Sequence, residues 1–264
     1  MNPLFHGVAS NDAKDLVNFI IMTLHEELNK ASNNQEIINY NNIDQRNPKI
    51  MFNYFAQKFI SQNKSIISDL FFGINCSITQ CGACQVKKYS YNSYFYLVFP
   101  VEEVRKFLLG NQFNYNNNYN IVNIYDCFDY DRKIWAMTGE NAMYCNYCKK
   151  TCDHSVCNIL TTGPEILIIL LNRGKGNVKI NFFENLNLEK YIQYGETGCY
   201  YKLIGVITHM GESGKGGHFI AYCLDPISYL WHKYNDEEVI PVNNFQSEVI
   251  NYAYPYLLLY HRTQ

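Results

Sequence analysis

Along residues 12–30, "DAKDLVNFIIMTLHEELNK", Leu16, Ile20, Leu24 and Leu28 recur every four positions, with Val17 and Ile21 beside them. That spacing predicts a helix with these side chains on one apolar face. Ser10, Asn11 or Asp12 could cap its start. Residues 32–47 are rich in asparagine and predict a loop. A second helix is expected over 49–61, carrying Met51, Tyr54, Phe55 and Phe59 on one side. Then the period shortens. "SYFYLVFPV", "EILIILL", "VKINFF", "YKLIGVITHM", "GHFIAYCL", "LWHKY" and "YPYLLLYHR" are short β-rich runs between turn residues. "NQFNYNNNYN" (111–120) is a low-complexity surface insertion without chemistry. No repeat of fixed period is present. Helices first and strands afterwards predict an α+β fold rather than a doubly wound sheet.

Two of the runs flank "DPIS" (225–228), which has the composition of a type I turn. With that turn at the centre of a hairpin, His218 and Asn235 face each other at its open end. An amide opposite an imidazole can fix its tautomer and orientation, as the third member of a hydrolytic triad does. The glycines ahead of His218 leave room for a second backbone to come close. A lone histidine at a strand edge is more often inert, so the motif alone is a weak signal.

Composition narrows the classes. With 264 residues, 47% apolar and 17% charged, the chain can bury a large core and is not disordered. Twenty-three tyrosines and sixteen phenylalanines supply amphipathic packing surface. A net charge of −2 gives no electrostatic reason to expect nucleic acid or a membrane as partner. No apolar run is long enough to cross a bilayer, and the first residues resemble no secretion signal, so an intracellular protein is expected, cytoplasmic or nuclear.

Inside a cell, the pairs Cys81–Cys84 and Cys145–Cys148, each C-x-x-C, favour metal over disulfides. Four thiolates around one Zn²⁺ would tie two distant hairpins together, and a site filled by protein on all four positions is structural. A local set of Cys145, Cys148, His154 and Cys157 is the lesser alternative, because its spacing is wrong for a nucleic-acid knuckle and Cys81 and Cys84 are left over. Cys76, Cys127, Cys199 and Cys223 lie in apolar runs and are expected in the core.

Taken in order, these motifs resemble the ubiquitin-specific protease family of cysteine deubiquitinases. "SNDAKDLVNFIIMTLHEELN" is similar to the family's helix with Gln-Gln-Asp, and "CGAC" and "YCNYC" to its two zinc knuckles. "GPEILIILLNR" resembles its strand ending in Leu-Lys-Arg-Phe. "GKGGHFIAYC", "LWHKYNDEEVIPV" and "YLLLYHR" resemble its histidine box and closing strands. The likeness runs from about residue 3 to 262. It implies a papain-like fold of thumb (about 1–70), zinc-bearing fingers with part of the palm (about 71–165) and palm (about 166–264). It implies ubiquitin and ubiquitinated proteins as partners, and hydrolysis of the isopeptide bond after ubiquitin's C-terminal glycine by thiol catalysis. His218 becomes the general base, Asn235 its orienting residue and Asp236 an assistant. Asp12, Gly217 and Phe219 become contacts for the ubiquitin tail, Asp12 by accepting an arginine and Phe219 in a place usually held by tyrosine. Structural Zn²⁺ on Cys81, Cys84, Cys145 and Cys148 is the one cofactor.

The departures matter as much. The family's Gly-Asn-Thr-Cys box belongs ahead of the first helix, and nothing here resembles it; the first cysteine is Cys76. Nucleophile and oxyanion donors are thus not found in this chain, and a base without its thiol cannot start the reaction. The chain as given is expected to be inactive, either as part of a longer active enzyme or as a ubiquitin-binding scaffold, the former being favoured. Asn11, Lys14 and Gly174 are milder departures, Gly174 standing where phenylalanine is usual.

Overall fold

The computed structural model describes residues 12–31, 43–110, 121–174, 178–193, 199–211, 217–251 and 254–263. Helix α1 (Ala13–Leu28) starts at Asp12, whose side chain accepts the backbone N–H of Lys14 at 2.8 Å. The other two candidate caps, Ser10 and Asn11, lie outside the described residues, as do the 111–120 insertion and most of the asparagine-rich interval. Helix α2 (Pro48–Gln62) is capped by Asn47, and α3 (Ile66–Phe71) by a reciprocal Ser65–Ser68 pair.

Only the Val17 and Ile21 side of the expected α1 face is covered. Leu16, Ile20, Leu24 and Leu28 are each between 39% and 46% exposed, whereas Ile21 and His25 are 6% exposed. Val17, Ile21 and His25 are also four apart, so period alone could not choose between two adjacent stripes. His25 decides it. Its Nδ1 bonds the Ser65 hydroxyl at 2.7 Å and its Nε2 faces Asn63 Oδ1 at 3.1 Å, which locks α1 onto the start of α3.

Strands β1 (Gly73–Cys81) and β2 (Lys87–Tyr94) form an antiparallel pair. Next come β3 (Leu97–Pro100), helix α4 (Val101–Gly110), β4 (Ile121–Asn123), helix α5 (Ile124–Asp131) and β5 (Trp135–Met137). Helices α4 and α5 interrupt the expected run of strands. Each carried a readable signal: Val101, Val104 and Leu108 are spaced for one face after Pro100, and Asn123 with Asp126 forms a capping box. A small hairpin, β6 (Met143–Cys145) and β7 (Lys150–Cys152), precedes β8 (His154–Thr162), which closes a four-stranded sheet in the order β2-β1-β8-β5.

The remaining strands are β9 (Ile166–Asn172), β10 (Lys179–Asn181), β11 (Asn185–Asn187), β12 (Tyr200–Met210), β13 (His218–Leu224), β14 (Trp231–Asn235), β15 (Glu238–Pro241) and β16 (Pro255–Thr263). All but β10 join β3 in the main sheet, β15-β14-β13-β12-β16-β9-β3, with β11 paired to β12, while β10 pairs with β4 in a separate parallel ribbon. The centre of the main sheet is buried on both faces, while the edge strand β15 is exposed. From β9, Leu167, Ile169 and Leu171 enter one core with Phe99, Val104, Ile124 and Phe128, while Ile168 and Leu170 enter the other with Ile21, Ile67 and Leu257. A continuous apolar run is what such a strand requires, and "ILIILL" supplies it.

The fully buried tyrosines keep their hydroxyls paired: Tyr201 donates to Pro164 O at 2.8 Å and Tyr260 to Phe183 O at 2.9 Å. Burial pushes the Tyr201 phenol up to about 12. For α1, Ile21→Ala should cost about 2–4 kcal/mol of unfolding free energy by leaving a cavity. Ile20→Ala should stay within about 0.5 kcal/mol. Urea unfolding of the two variants checks the reassigned face.

Candidate active site and thiolate cluster

His218 opens β13, and Gly217 before it is squeezed. A Cβ there would lie 2.2 Å from His209 Nε2 and 2.7 Å from the Met210 carbonyl oxygen, so only glycine lets β12 and β13 meet at this end. The pairing Met210↔His218 and His209↔Phe219 follows.

The β13–β14 register departs from expectation. Leu224 pairs with Trp231 rather than Tyr229, because the connection is longer than a two-residue turn. The Asp225 carboxylate accepts the N–H groups of Ile227 (2.7 Å) and Ser228 (3.2 Å), and Tyr229 sits at φ 56 and donates its N–H to Asp225 O. A shift of two residues on β14 is even, so every side chain keeps its face. Extended by that register, Asn235 falls level with Ile220, diagonal to His218 on the same face. The imidazole closes the gap: His218 Nε2 lies 2.5 Å from Asn235 Oδ1.

Asp236 follows in a left-handed turn (φ 51), a conformation that Asp tolerates, and its Oδ2 comes within 3.8 Å of the same Nε2. Both polar partners gather on Nε2, which leaves Nδ1 as the ring nitrogen for other chemistry. Among the described residues no thiol lies within hydrogen-bonding reach of His218, although all ten cysteines are described. Cys76 is buried against Met51 and Tyr91 in a separate cluster, and burial raises its thiol above the ordinary range.

Phe219, on the other face of β13, joins His209 (ring centroids 4.7 Å apart) and Tyr256 (5.5 Å) in an aromatic wall. The Tyr256 hydroxyl reaches Asp12 at 2.6 and 2.7 Å, tying the N-terminus of α1 to β16. Burial and the neighbouring carboxylate keep that phenol protonated and donating. Asp12 is therefore both a cap and a carboxylate held at the edge of the wall. His209 and Tyr256 were not singled out from the sequence. The signal for His209 was available, since pairing "VITHM" with "GHFIAY" across the glycine-rich turn sets it against Phe219. Behind the wall, Arg173 donates to the His209 carbonyl at 3.0 Å beside a cavity of about 490 Å³ that Lys179 and Tyr254 also line.

The second cluster sits between two turns of matching geometry. Gln85 (φ 60) donates its N–H to Cys81 O at 2.9 Å, and Lys149 (φ 56) donates to Cys145 O at 2.8 Å. These turns bring Cys81, Cys84, Cys145 and Cys148 together, with all sulfurs within 4.8 Å of one another. Cys81 Sγ is 3.8 Å from Cys148 Sγ, and Cys84 Sγ is 3.7 Å from Cys145 Sγ. A tetrahedron with Zn–S bonds of about 2.3 Å has edges of about 3.8 Å, so the residues present fit the ion.

Backbone N–H groups of Cys84 and Ala83 pull the Cys81 thiol down to about 6, while the crowded neighbours drive Cys148 upward. Four thiols this close cannot all ionise without a cation between them. His154 and Cys157 are not in the cluster: His154 bonds the Cys152 carbonyl at 2.8 Å, and Cys157 pairs with Ile78 within the sheet. Metal analysis of the purified protein should find about one zinc per chain, and Cys145→Ser should lower that content and the melting temperature together.

The ubiquitin carboxyl-terminal hydrolase profile matches residues 1–260. Ubiquitin carboxyl-terminal hydrolase 2 from chicken (Gallus gallus) is 25% identical over 98% of this chain and 70% of its own length. The human protein of that name is 25% identical over 98% of this chain, but the chain spans only 41% of it. Among solved structures, a SAGA DUB module containing Ubp8 and bound to monoubiquitin superposes with a TM-score of 0.68 at 22% identity, covering 97% of this chain and 49% of that one. The likeness in shape establishes the α+β, papain-like architecture, and with the profile spanning nearly every residue this chain belongs to the ubiquitin carboxyl-terminal hydrolase family.

Proposed function

We propose that this chain is a deubiquitinase domain that holds the C-terminal tail of ubiquitin along the wall of Phe219, His209 and Tyr256, with Asp12 receiving an arginine of that tail. The observation that carries the reading is the His218–Asn235 hydrogen bond, made at the same strand end that bears this wall. Gly217 lets β12 and β13 come together there, since any side chain would strike His209. His218 acts as general base through Nδ1, Asn235 holds the ring by Nε2, and Asp236 adds negative charge beside the imidazolium once it forms.

In the reaction, a thiol gives its proton to His218 and the thiolate attacks the carbonyl carbon of ubiquitin's last glycine. The amine then leaves with that proton, and water releases the acyl group from sulfur. The thiol is the part these residues lack. Without a cysteine against Nδ1, the chain by itself binds ubiquitin and does not cleave it. The cysteine cluster, loaded with zinc, stabilises the region around β1, β2, β6 and β7 and takes no part in the chemistry.

A second reading, a ubiquitin-binding scaffold without catalysis, rests on the same missing thiol. Electrophile-tipped ubiquitin separates the possibilities: the chain should form no adduct, and an adduct on any of its ten cysteines would show that a thiol within it is reactive. A chimaera with the family's cysteine box ahead of residue 1 should hydrolyse a ubiquitin conjugate. In it His218→Ala should slow turnover by about 10²–10⁴-fold; unchanged turnover would remove His218 as base, and a chimaera that stays inert while binding ubiquitin would favour the scaffold.

Binding tests Asp12 on its own. Asn caps a helix as well as Asp does, so Asp12→Asn keeps the cap and removes the charge. Calorimetry should show affinity for ubiquitin weakened roughly tenfold or more by Asp12→Asn. Unchanged affinity would leave Asp12 as cap and Tyr256 partner only.

A further inference from the structure

In a different part of the fold, a cation lies inside an aromatic box. Lys133, in the turn between α5 and β5, places Nζ 3.5 Å from the ring centroid of Trp135, 3.8 Å from that of Tyr130 and 4.7 Å from that of Phe107. The three rings come from β5, α5 and α4. Tyr130 stands at 88° to Trp135 and at 75° to Phe107, with centroids 5.7 and 5.6 Å away. Two near-perpendicular junctions make walls rather than a stack. Their negative faces converge on one point, the arrangement that holds ammonium groups by cation–π attraction.

The resident fits the box imperfectly. A primary ammonium has three N–H donors, and ring faces offer no lone pairs to accept them. Among the described residues the Lys133 ammonium has no ion pair or hydrogen bond to an oxygen, its backbone N–H alone donating to Tyr130 O. Glu103, whose charge reaches Lys133, is itself bonded to Lys106 at 2.9 Å. Burial accordingly lowers the Lys133 ammonium below the ordinary lysine range. An N-methylated ammonium has fewer donors to strand, or none, and loses less hydration on entry. Access is available too, since Trp135 is 40% exposed and β5 is the outermost strand of its sheet. An extended segment can approach without opening the core.

We infer that Phe107, Tyr130 and Trp135 form a binding site for a methylated lysine side chain of a partner polypeptide, with Lys133 as an internal placeholder that swings out when the partner binds. The site shares no residue with the ubiquitin cleft, so it stands or falls separately from the proposed activity.

The test titrates Nα-acetyl-Nε-trimethyllysine amide into the full chain and follows the Trp135 indole N–H by NMR, assigned by its loss in Trp135→Phe. The trimethyl probe should shift that signal saturably, and the unmodified lysine amide should not. Lys133→Gln should tighten binding roughly tenfold by removing the resident cation, and Tyr130→Leu should abolish it with the melting transition retained. Should Tyr130→Leu fail to fold, Phe107→Leu should show the same loss. Equal response to both probes, or none in either the natural chain or Lys133→Gln, overturns the site. An affinity that Lys133→Gln leaves unchanged overturns the placeholder.

Discussion

Strand β12 is hydrogen-bonded along both sides, to β13 and to β16, and the side chains of the cleft hang from its register. Leu203 and Val206 enter the core beneath α4 and α5, and Ile207 packs on the α1 side. A slip of one residue would send each of them to the opposite face. Burial of such side chains is worth about 1.5–3 kcal/mol apiece, whereas a single side-chain hydrogen bond contributes about 1 kcal/mol. The cores therefore choose the register, and the site inherits it. Once β12 is placed, His209 must oppose Phe219 and Met210 must oppose His218. The close passage at Gly217 is the local condition for that pairing to persist to the end of the strands.

The two clusters handle charge in opposite ways. Asp12 is satisfied by the protein itself, through the Tyr256 hydroxyl and the Lys14 N–H, and its position couples the first helix to the last strand. The four thiols have no such internal answer. They are drawn together by two copies of one turn geometry, into a spacing that ionised sulfurs alone would oppose. A divalent ion would resolve that opposition. It would also explain why folding brings together residues so distant in sequence at a cost in desolvation.

Much of this was legible before the fold was known, and the misses have physical causes. The helix over α1 was readable from period, but two stripes one residue apart both satisfied it. The choice fell to His25, a polar residue whose buried partners Ser65 and Asn63 come from another helix. The hairpin around Asp225 was readable as to existence and face. Its register was not, because Tyr229 takes a left-handed conformation that composition does not announce. His218 and Asn235 met regardless, since an even shift preserves the face and an imidazole is long enough to reach a diagonal neighbour. Helices α4 and α5 were missed although both carried capping or periodic signals, since aromatic and β-branched residues around them read first as strand.

By itself the sequence determined which residues could do chemistry: the two C-x-x-C pairs, the glycine-preceded histidine, the Asn-Asp pair at the end of β14 and the acidic cap of α1. These are properties of residue type and local spacing, and they survive any error in packing. Only the tertiary structure decided which of them meet and what surrounds them. It set the sulfur–sulfur distances, turned His218 Nε2 toward Asn235, assembled the aromatic wall from three strands, and enclosed Lys133 in rings from three elements. Those outcomes depend on contacts between segments far apart in the chain. They are fixed by how the two apolar faces of one sheet are buried at once, a condition that no local stretch contains.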